Sequence, residues 1–228
     1  MLASLSGNTL TLGSARLDES CLKLIKDQYA YKDNCKAGDT VILDGIECLC
    51  IATGVTIQGS NLTRIAVDKH HDLGYYQKYL GVIIEGTQIL NIDCWKWGGY
   101  GTLLGNTSTE VGYGLQNTIN CLANPVSYTG GTSTSASVPS MWMGVNDFRS
   151  AHSDKWFIPS ANEIINYVSP YKSSLSDDTT TGGGFNDSGF WSSSEISDTK
   201  SYRISLKGGQ SYSQTKDVIG SVRLCRAF

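Results

Sequence analysis

The segment "DKWFIPSANEIINYV" (residues 154–168) contains the clearest change of secondary structure in the chain. A short apolar run ends at Pro159, which has no backbone N–H with which to continue a sheet ladder. Ser160 can cap a helix, and Glu163 follows at the spacing of a capping box. We therefore predict a strand that ends at Pro159 and a helix that begins after Ser160, with its apolar side chains facing inward.

The C-terminal segment "FWSSSEISDTKSYRISLKGGQSYSQTKDVIGSVRLCRAF" (residues 190–228) has apolar ends and a polar middle. Tyr202, Ile204 and Leu206 alternate with polar residues, which is the pattern of a half-buried strand. A Gly-Gly pair (208–209) predicts a turn, and the apolar run that ends at Phe228 predicts a closing strand. Tyr212 lies within the polar middle, so we predict that its ring is exposed.

Other segments add strands and one more helix. Asp44-Gly45 separates two apolar runs and predicts a hairpin. "RIAVDKHHDL" (residues 64–73) predicts another strand, and apolar residues at helical spacing predict a helix near 114–123. The fold class is therefore α+β, with short antiparallel strands, two helices and long Gly/Ser/Thr loops. Trp156 and Trp191 are predicted to lie in the core.

Composition restricts the classes of partner. Of the 228 residues only 17% are charged, and the net charge is −3, which argues against a nucleic-acid partner. No apolar stretch approaches the ~18 residues that span a bilayer, and no basic segment precedes an apolar one at the start. We expect synthesis in the cytoplasm and no membrane insertion. A surface of hydroxyl, amide and tyrosine groups recognises its ligands by hydrogen bonds and ring contacts.

Seven cysteines lie at positions 21, 35, 48, 50, 94, 121 and 225. The number is odd and no C-x-x-C pair occurs, so neither a disulfide framework nor a structural zinc site is indicated. Free cysteine behaves as a small apolar residue. We predict buried, free thiols.

Catalytic patterns are weak. "DKHHD" (residues 68–72) is the strongest metal or acid–base candidate, but His70 and His71 on a strand would face opposite sides of the sheet. No G-x-S-x-G motif is present, and the glycine-rich segment near residue 100 lacks the lysine and the strand–loop–helix context of a phosphate site. We therefore predict no catalytic residue, no metal, no cofactor and no enzymatic activity.

Three motifs occur in a recognisable order: W-x-[IL]-P-[ST] at 156–160, W-S-S-[ST]-E at 191–195, and V-R-x-[CV]-R at 222–226. With the upstream segment "WGGYGTLLGNTSTEVGYGLQNTINCLAN" (residues 97–124), the series resembles the C-type-lectin-like fold. That family includes formylglycine-generating-enzyme-like domains, the C-terminal domain of collagen-like bacterial adhesins, and the variable proteins of diversity-generating retroelements. The resemblance covers about 38–228. It implies a ligand-binding domain at 36–228, after an attachment or oligomerisation segment at 1–35.

In this family the stretch between the second and third motifs presents side chains to a ligand, and retroelements diversify it at adenines of asparagine-type codons. The resemblance implies framework positions at Tyr202, Ile204, Leu206, Gly209, Lys216, Val222 and Arg223. It implies ligand-binding display positions at Ile196, Ser197, Thr199, Arg203, Ser205, Tyr212, Asp217, Ile219 and Ser221.

The resemblance implies a receptor-binding or adhesion protein of a phage tail or a bacterial surface. Its partner would be a protein or glycan receptor on a target cell, and the chain itself would associate into a homo-oligomer. The E-P-N calcium motif of sugar-binding lectins is absent. Two alternatives stay open: a metal-dependent enzyme related to the formylglycine-generating group, with its metal around His70–Asp72, and a structural virion or surface domain without a ligand.

Overall fold

A computed structural model describes residues 3–6, 9–12, 15–16, 33–69, 95–128, 140–175, 189–206 and 208–228. The protein is a mixed α+β structure in which the strands of each sheet pair antiparallel. In chain order the strands are Ala3–Ser6 (β1), Thr9–Leu12 (β2), Ala15–Arg16 (β3), Thr40–Leu43 (β4), Ile46–Thr53 (β5), Arg64–Asp68 (β6), Trp95–Lys96 (β7), Trp156–Phe157 (β8), Phe190–Glu195 (β9), Lys200–Ser205 (β10), Gln210–Thr215 (β11), Ile219–Gly220 (β12) and Cys225–Ala227 (β13).

The helices of the described residues are Gly114–Leu122 (α1), Met141–Ala151 (α2) and Ala161–Glu163 (α3). Helix α3 continues as a π-helical turn, Ile164–Val168, and a 3-10 segment, Ser169–Ser174. A further 3-10 turn spans Pro125–Tyr128. The predicted helix near 114–123 is confirmed, but the prediction of two helices was incomplete because α2 is a third.

Helix α2 escaped prediction because a long Ser/Thr/Gly-rich stretch precedes it. Its N-cap is Ser140, whose side chain accepts a hydrogen bond from the Met143 N–H at 3.4 Å. Trp142, Val145 and Phe148 are buried at helical spacing. The helical spacing of these apolar residues is therefore visible in the sequence, but it directly follows residues that are typical of a loop.

A five-stranded sheet with the order β4-β5-β6-β13-β8 forms the centre of the molecule. Its two faces carry different apolar clusters, because neighbouring residues on a strand point to opposite sides. On β5 and β8, Cys48 and Trp156 belong to one cluster, whereas Leu49 and Phe157 belong to the other. Apart from the edge strand β4, the strands of this sheet are largely buried on both faces, which explains their nearly continuous apolar runs.

The predicted hairpin at Asp44-Gly45 is confirmed. Leu43 pairs with Ile46, and the two residues between them have φ of 53° and 82°. Two successive left-handed residues are what a tight two-residue hairpin requires, and Asp and Gly adopt them at low cost.

Asp44 also connects the hairpin to β8 and β13 at the opposite edge of the sheet. Its Oδ2 accepts hydrogen bonds from Trp156 Nε1 at 2.8 Å and from Arg226 Nε at 2.7 Å. Burial raises the pKa of this carboxyl, but the hydrogen bond and charge of Arg226 and the Trp156 bond outweigh burial, so the net pKa lies below its ordinary value. The folded protein therefore stabilises the charged form of Asp44.

We expect Asp44→Asn to destabilise the protein by about 1 kcal/mol at neutral pH. Asparagine keeps the left-handed turn but cannot pair with Arg226 as an ion. Because the pKa of Asp44 is lowered on folding, its contribution is present above the ordinary carboxyl value of 3.8 and is lost as pH falls through the folded pKa. Urea unfolding of both proteins across this pH range should show the difference shrinking in acid. The exposed Asp154→Asn is the control, and an Asp44→Asn difference that did not change with pH would contradict the prediction.

The capping box at the start of α3 is confirmed. The Ser160 hydroxyl accepts the Glu163 N–H at 3.3 Å, and the Glu163 carboxylate accepts the Ser160 N–H at 2.7 Å. The same carboxylate also accepts the Gly112 N–H at 2.9 Å, which anchors the segment before α1. Burial raises the pKa of Glu163, although the backbone N–H groups of Ser160, Gly112 and Gly114 act to lower it.

The cysteines of the described residues are free and buried, at positions 35, 48, 50, 121 and 225. Burial raises the pKa values of the Cys48, Cys121 and Cys225 thiols. The prediction of buried, free thiols is confirmed for these five positions, while Cys21 and Cys94 lie outside the described residues.

Two further predictions concern parts of the chain that the structure describes incompletely. In the motif at 68–72, Asp68 is buried at the end of β6, and residues 70–72 lie outside the described ranges. Within those ranges no cluster of three potential metal ligands occurs, and no helix combines the length and apolar character that crossing a membrane requires. Strands β1, β2 and β3 form a separate antiparallel sheet within 1–35; the division of the chain at residue 35 stays a prediction.

Candidate ligand-binding surface

The C-terminal segment folds into a three-stranded sheet with the order β9-β10-β11, called the tail sheet below. Strand β10 is central: Arg203 faces Trp191 of β9 on one side and Tyr212 of β11 on the other. The predicted strand at Tyr202 and Ile204 is confirmed, although it ends at Ser205, so that Leu206 lies in the turn that follows. The predicted closing strand is confirmed at Cys225–Ala227.

The first five residues of strand β9 are buried although three of them are serines, because the serine hydroxyls are hydrogen-bonded. Ser192 Oγ donates to the Tyr202 carbonyl at 3.0 Å, and Ser194 Oγ donates to the Ser108 carbonyl at 2.8 Å. Ser193 Oγ accepts a hydrogen bond from Asn117 Nδ2 at 3.1 Å. Buried hydroxyl groups are tolerated only when they are paired in this way. Ser193 joins the tail sheet to α1 and Ser194 joins it to the loop before α1, while Ser192 joins β9 to β10 within the sheet.

A buried ion pair lies at the end of β9. Lys216 Nζ contacts Glu195 Oε1, and the two side chains are 0% and 2% exposed. Lys216 Nζ also donates to the Thr102 carbonyl at 2.9 Å and lies 4.8 Å from the centre of the Trp97 ring. A buried lysine and glutamate of this kind are stable only when both are paired and hydrogen-bonded.

The same ion pair holds the loop that follows Trp97. Glu195 accepts the N–H groups of Leu104 and Gly105, both at 2.9 Å. The Gly101 N–H donates to the Asp198 carbonyl at 2.9 Å. Loop 101–105 and the turn at 196–199 are therefore fixed against each other, and we call them together the rim.

The rim carries exposed apolar side chains. Leu103 is 62% exposed and Ile196 is 38% exposed. The hydrogen bonds described above join the segments that carry them, so the two side chains lie on neighbouring parts of the rim. Exposed apolar side chains on a rigid polar surface are a common feature of binding sites.

Strand β11 forms an edge of the tail sheet, and all six of its residues are polar or tyrosine. Gln210, Ser211 and Ser213 are exposed, while Tyr212, Gln214 and Thr215 are half-buried. Among the described residues, β10 is the strand that pairs with β11. The outer edge of β11 and the side chains of β11 therefore offer hydrogen-bonding groups beside the rim.

The predicted display positions differ in exposure. Ile196 is exposed at the rim, and the side chain of Ile219 lies outside the description. Ser197 has a local role, because its hydroxyl accepts the N–H groups of Thr199 at 3.3 Å and Lys200 at 3.1 Å within the turn. The half-buried display positions are Ser197, Thr199, Ser205, Tyr212 and Asp217.

The prediction of Arg203 and Ser221 as display positions is corrected by their burial, because they are only 8% and 7% exposed. Arg203 Nε donates to the Gly189 carbonyl at 3.0 Å, and its guanidinium lies 5.6 Å from the centre of the Trp191 ring. Gly220 covers it, because a Cβ there would lie 3.1 Å from Arg203 Cζ. The carbonyl of Ser221 accepts the Trp191 N–H at 2.8 Å. Both residues are parts of the scaffold.

Tyr212 is less exposed than predicted. A Cβ at Gly189 would lie 2.3 Å from the Tyr212 hydroxyl oxygen, so the ring reaches across that glycine. Gly189 has φ of 77° and no side chain, and both properties are needed here. Tyr212 is half-buried, so part of its side chain remains accessible to a ligand.

The predicted framework positions agree with the burial. Ile204, Leu206, Lys216, Val222 and Arg223 are buried, and Tyr202 is half-buried against the cluster that contains Ile204. The sequence reasoning missed Glu195 as the partner of Lys216, and it missed Leu103. A charged residue that ends an otherwise uncharged buried strand was the available signal for Glu195.

No protein-family model matches the chain, and no curated protein is significantly similar to it. The resemblance to the C-type-lectin-like family therefore stays a prediction, and the tail sheet and the rim are the features of the described residues that bear on function.

Proposed function

We propose that this chain is a ligand- or receptor-binding adhesion protein that presents the rim and strand β11 to a protein or glycan on a target cell. The observation that carries the proposal is the combination of the exposed Leu103 and Ile196 with an all-polar edge strand, held on a scaffold by the buried Lys216–Glu195 pair. Apolar side chains supply contact area, and serine, glutamine and tyrosine supply adaptable hydrogen bonds.

The proposal includes the C-type-lectin-like scaffold and a place on a phage tail or bacterial surface. The three motifs support it because each has a structural task in this chain: Ser160 caps α3, β9 carries Glu195 to the rim, and β13 joins the central sheet. Rigid elements that position loops and an edge strand are the usual arrangement for a binding function. A catalytic thiol receives no support from Cys225, which is fully buried with its pKa raised by burial.

The first test is binding of the purified full chain, labelled at its amino terminus, to a panel of bacterial strains and to glycan and protein arrays. For any target that binds, we expect the double variant Leu103→Ser/Ile196→Ser to lose about tenfold or more in affinity, because a few central apolar contacts dominate such interfaces. Circular dichroism and thermal unfolding should show that the variant remains folded.

The control variant is Ile42→Ser on β4, which removes an apolar side chain of similar exposure, 42%, from a different sheet. It should bind as the wild type does. Equal binding by the rim variant and the wild type, or the absence of any target in the panel, would contradict the proposed function and favour a structural domain.

The diversified form of the proposal has its own test, which is sequencing of the gene segment for residues 190–228 across a population. Substitutions confined to adenines of a neighbouring near-copy, and concentrated at exposed positions such as Ile196, would support it. Uniform sequences without a near-copy would leave an adhesin with a fixed surface.

A further inference from the structure

Cys35 and Cys50 lie next to each other at one end of the central sheet. Both are free cysteines, and the segment that follows Cys35 is hydrogen-bonded to the backbone N–H and carbonyl of Cys50. The residues are 3% and 0% exposed. Two thiols on segments that are paired in this way need little movement before their sulfur atoms can join.

The backbone holds this contact in place. A turn brings Cys35 back over β5: the Asp39 N–H donates to the Lys36 carbonyl at 3.0 Å, and the Lys36 N–H donates to Asp39 Oδ2 at 2.7 Å. Gly38, with φ of 99°, donates its N–H to the Cys50 carbonyl at 2.8 Å, and the Cys50 N–H donates to the Asp39 carbonyl at 2.8 Å. Both sides of Cys50 are therefore bound to the segment that carries Cys35.

Cys35 is buried within an otherwise exposed segment. Residues 33, 34 and 36–38 are all exposed, and Cys35 between them is not. One layer of solvent-exposed turn therefore separates the thiol pair from solvent, and local opening of this turn gives a small oxidant access to it.

We propose that Cys35 and Cys50 form an oxidisable pair that closes to an intramolecular disulfide. With glutathione disulfide as the oxidant, the Cys35 thiolate attacks one glutathione sulfur, forms a mixed disulfide and releases one glutathione. The Cys50 sulfur then attacks the Cys35 sulfur, forms the Cys35–Cys50 bond and releases the second glutathione. The protein loses two protons and two electrons, and glutathione disulfide gains them as it becomes two glutathione molecules.

The surroundings indicate which thiol attacks first. Burial raises the pKa of both thiols, that of Cys50 to about 12. The interaction between the two side chains acts to lower the pKa of Cys35 and to raise that of Cys50. The charged groups that face the pair are Arg64, which favours the Cys35 thiolate, and Asp39, which disfavours it. Cys35 is the nucleophile in this assignment. At pH values below its pKa, closure should become up to about tenfold faster for each unit by which the pH is raised.

The test uses the reduced full chain in glutathione buffer at pH 8, followed by alkylation, trypsin digestion and mass spectrometry without reduction. We expect peptide 33–36 to be joined to peptide 37–64, with fragmentation placing the bond at Cys50 rather than Cys48. The oxidised protein should have two fewer titratable thiols. Its Tm should rise by about 5–10 °C, because the bond closes the loop 35–50 in the unfolded chain.

Matched variants separate this bond from others. Cys48→Ala should still form the joined peptide, whereas Cys35→Ala should form none and should show no rise in Tm on oxidation. The mass of the joined peptide in the wild type decides the question even where a variant is too unstable to purify. A bond to Cys48, glutathione attached to Cys35 without closure, or no bond after prolonged oxidation at pH 9 would overturn the proposal.

Discussion

Lys216→Met should destabilise the protein by about 3–5 kcal/mol, the loss expected when one partner of a buried ion pair is removed. Methionine fills much of the volume of the lysine stem beside Trp97, but it leaves the Glu195 carboxylate buried without its cation. The Thr102 carbonyl loses its lysine donor as well. Equilibrium unfolding in urea measures the loss directly. It is a large part of the 5–15 kcal/mol that typically separates folded from unfolded proteins.

The double variant Glu195→Gln/Lys216→Met should be less destabilised than the sum of the two single variants, because the uncompensated charge is gone. Lys155→Met is the control. Its partner Asp154 is exposed, and pairs of that kind contribute less than about 1 kcal/mol. Hydrogen exchange at the Leu104 and Gly105 amides should accelerate in Lys216→Met. If the stability of Lys216→Met were within about 1 kcal/mol of that of the wild type, the ion pair would not be what holds the rim in place.

Gly114→Ala should destabilise the protein by about 3 kcal/mol, although the same change in an open helix position stabilises by about 1 kcal/mol. A methyl group at residue 114 would lie 2.2 Å from Glu163 Oε2 and 2.8 Å from Phe157 Cδ2. Glu163 cannot move away cheaply, because its oxygens accept the N–H groups of Gly112 and Ser160. Thermal and urea unfolding would both report the loss.

Gly208→Ala is the matched control for Gly114→Ala. A Cβ at residue 208 meets only Gln210 side-chain atoms, at 3.6 Å and beyond. This variant should differ from the wild type by less than about 0.5 kcal/mol. If Gly114→Ala were as stable as the control, the close packing of α1 against the α3 capping box would be wrong.

The features predicted correctly from the sequence depend on residues close together in the chain. Asp44 and Gly45 specify their turn through their own backbone preferences, and Ser160 with Glu163 forms a capping box within one helical turn. The alternation in β10 predicted its core-facing residues for the same reason. Local signals of this kind do not require knowledge of what packs against them.

The features that were missed depend on residues distant in sequence. Arg203 alternates with apolar residues and was predicted to face solvent, yet Gly220 and Trp191 cover it. Glu195 contacts Lys216, 21 positions away, and Leu104, 91 positions away. A pattern along one strand cannot show which element will cover its polar face, so burial of both faces of β10 was not predictable from that strand.

The position of β11 at the edge of the tail sheet has a consequence for how this protein can evolve. Gln210, Ser211 and Ser213 are exposed, so exchanges among polar residues there should each change stability by no more than about 0.5 kcal/mol. Arg203 and Tyr212, by contrast, cannot change without disturbing Trp191 or Gly189. Related proteins could therefore differ at many positions of the outer strand while keeping the same fold. New binding specificities would arise at this strand without compensating mutations in the core.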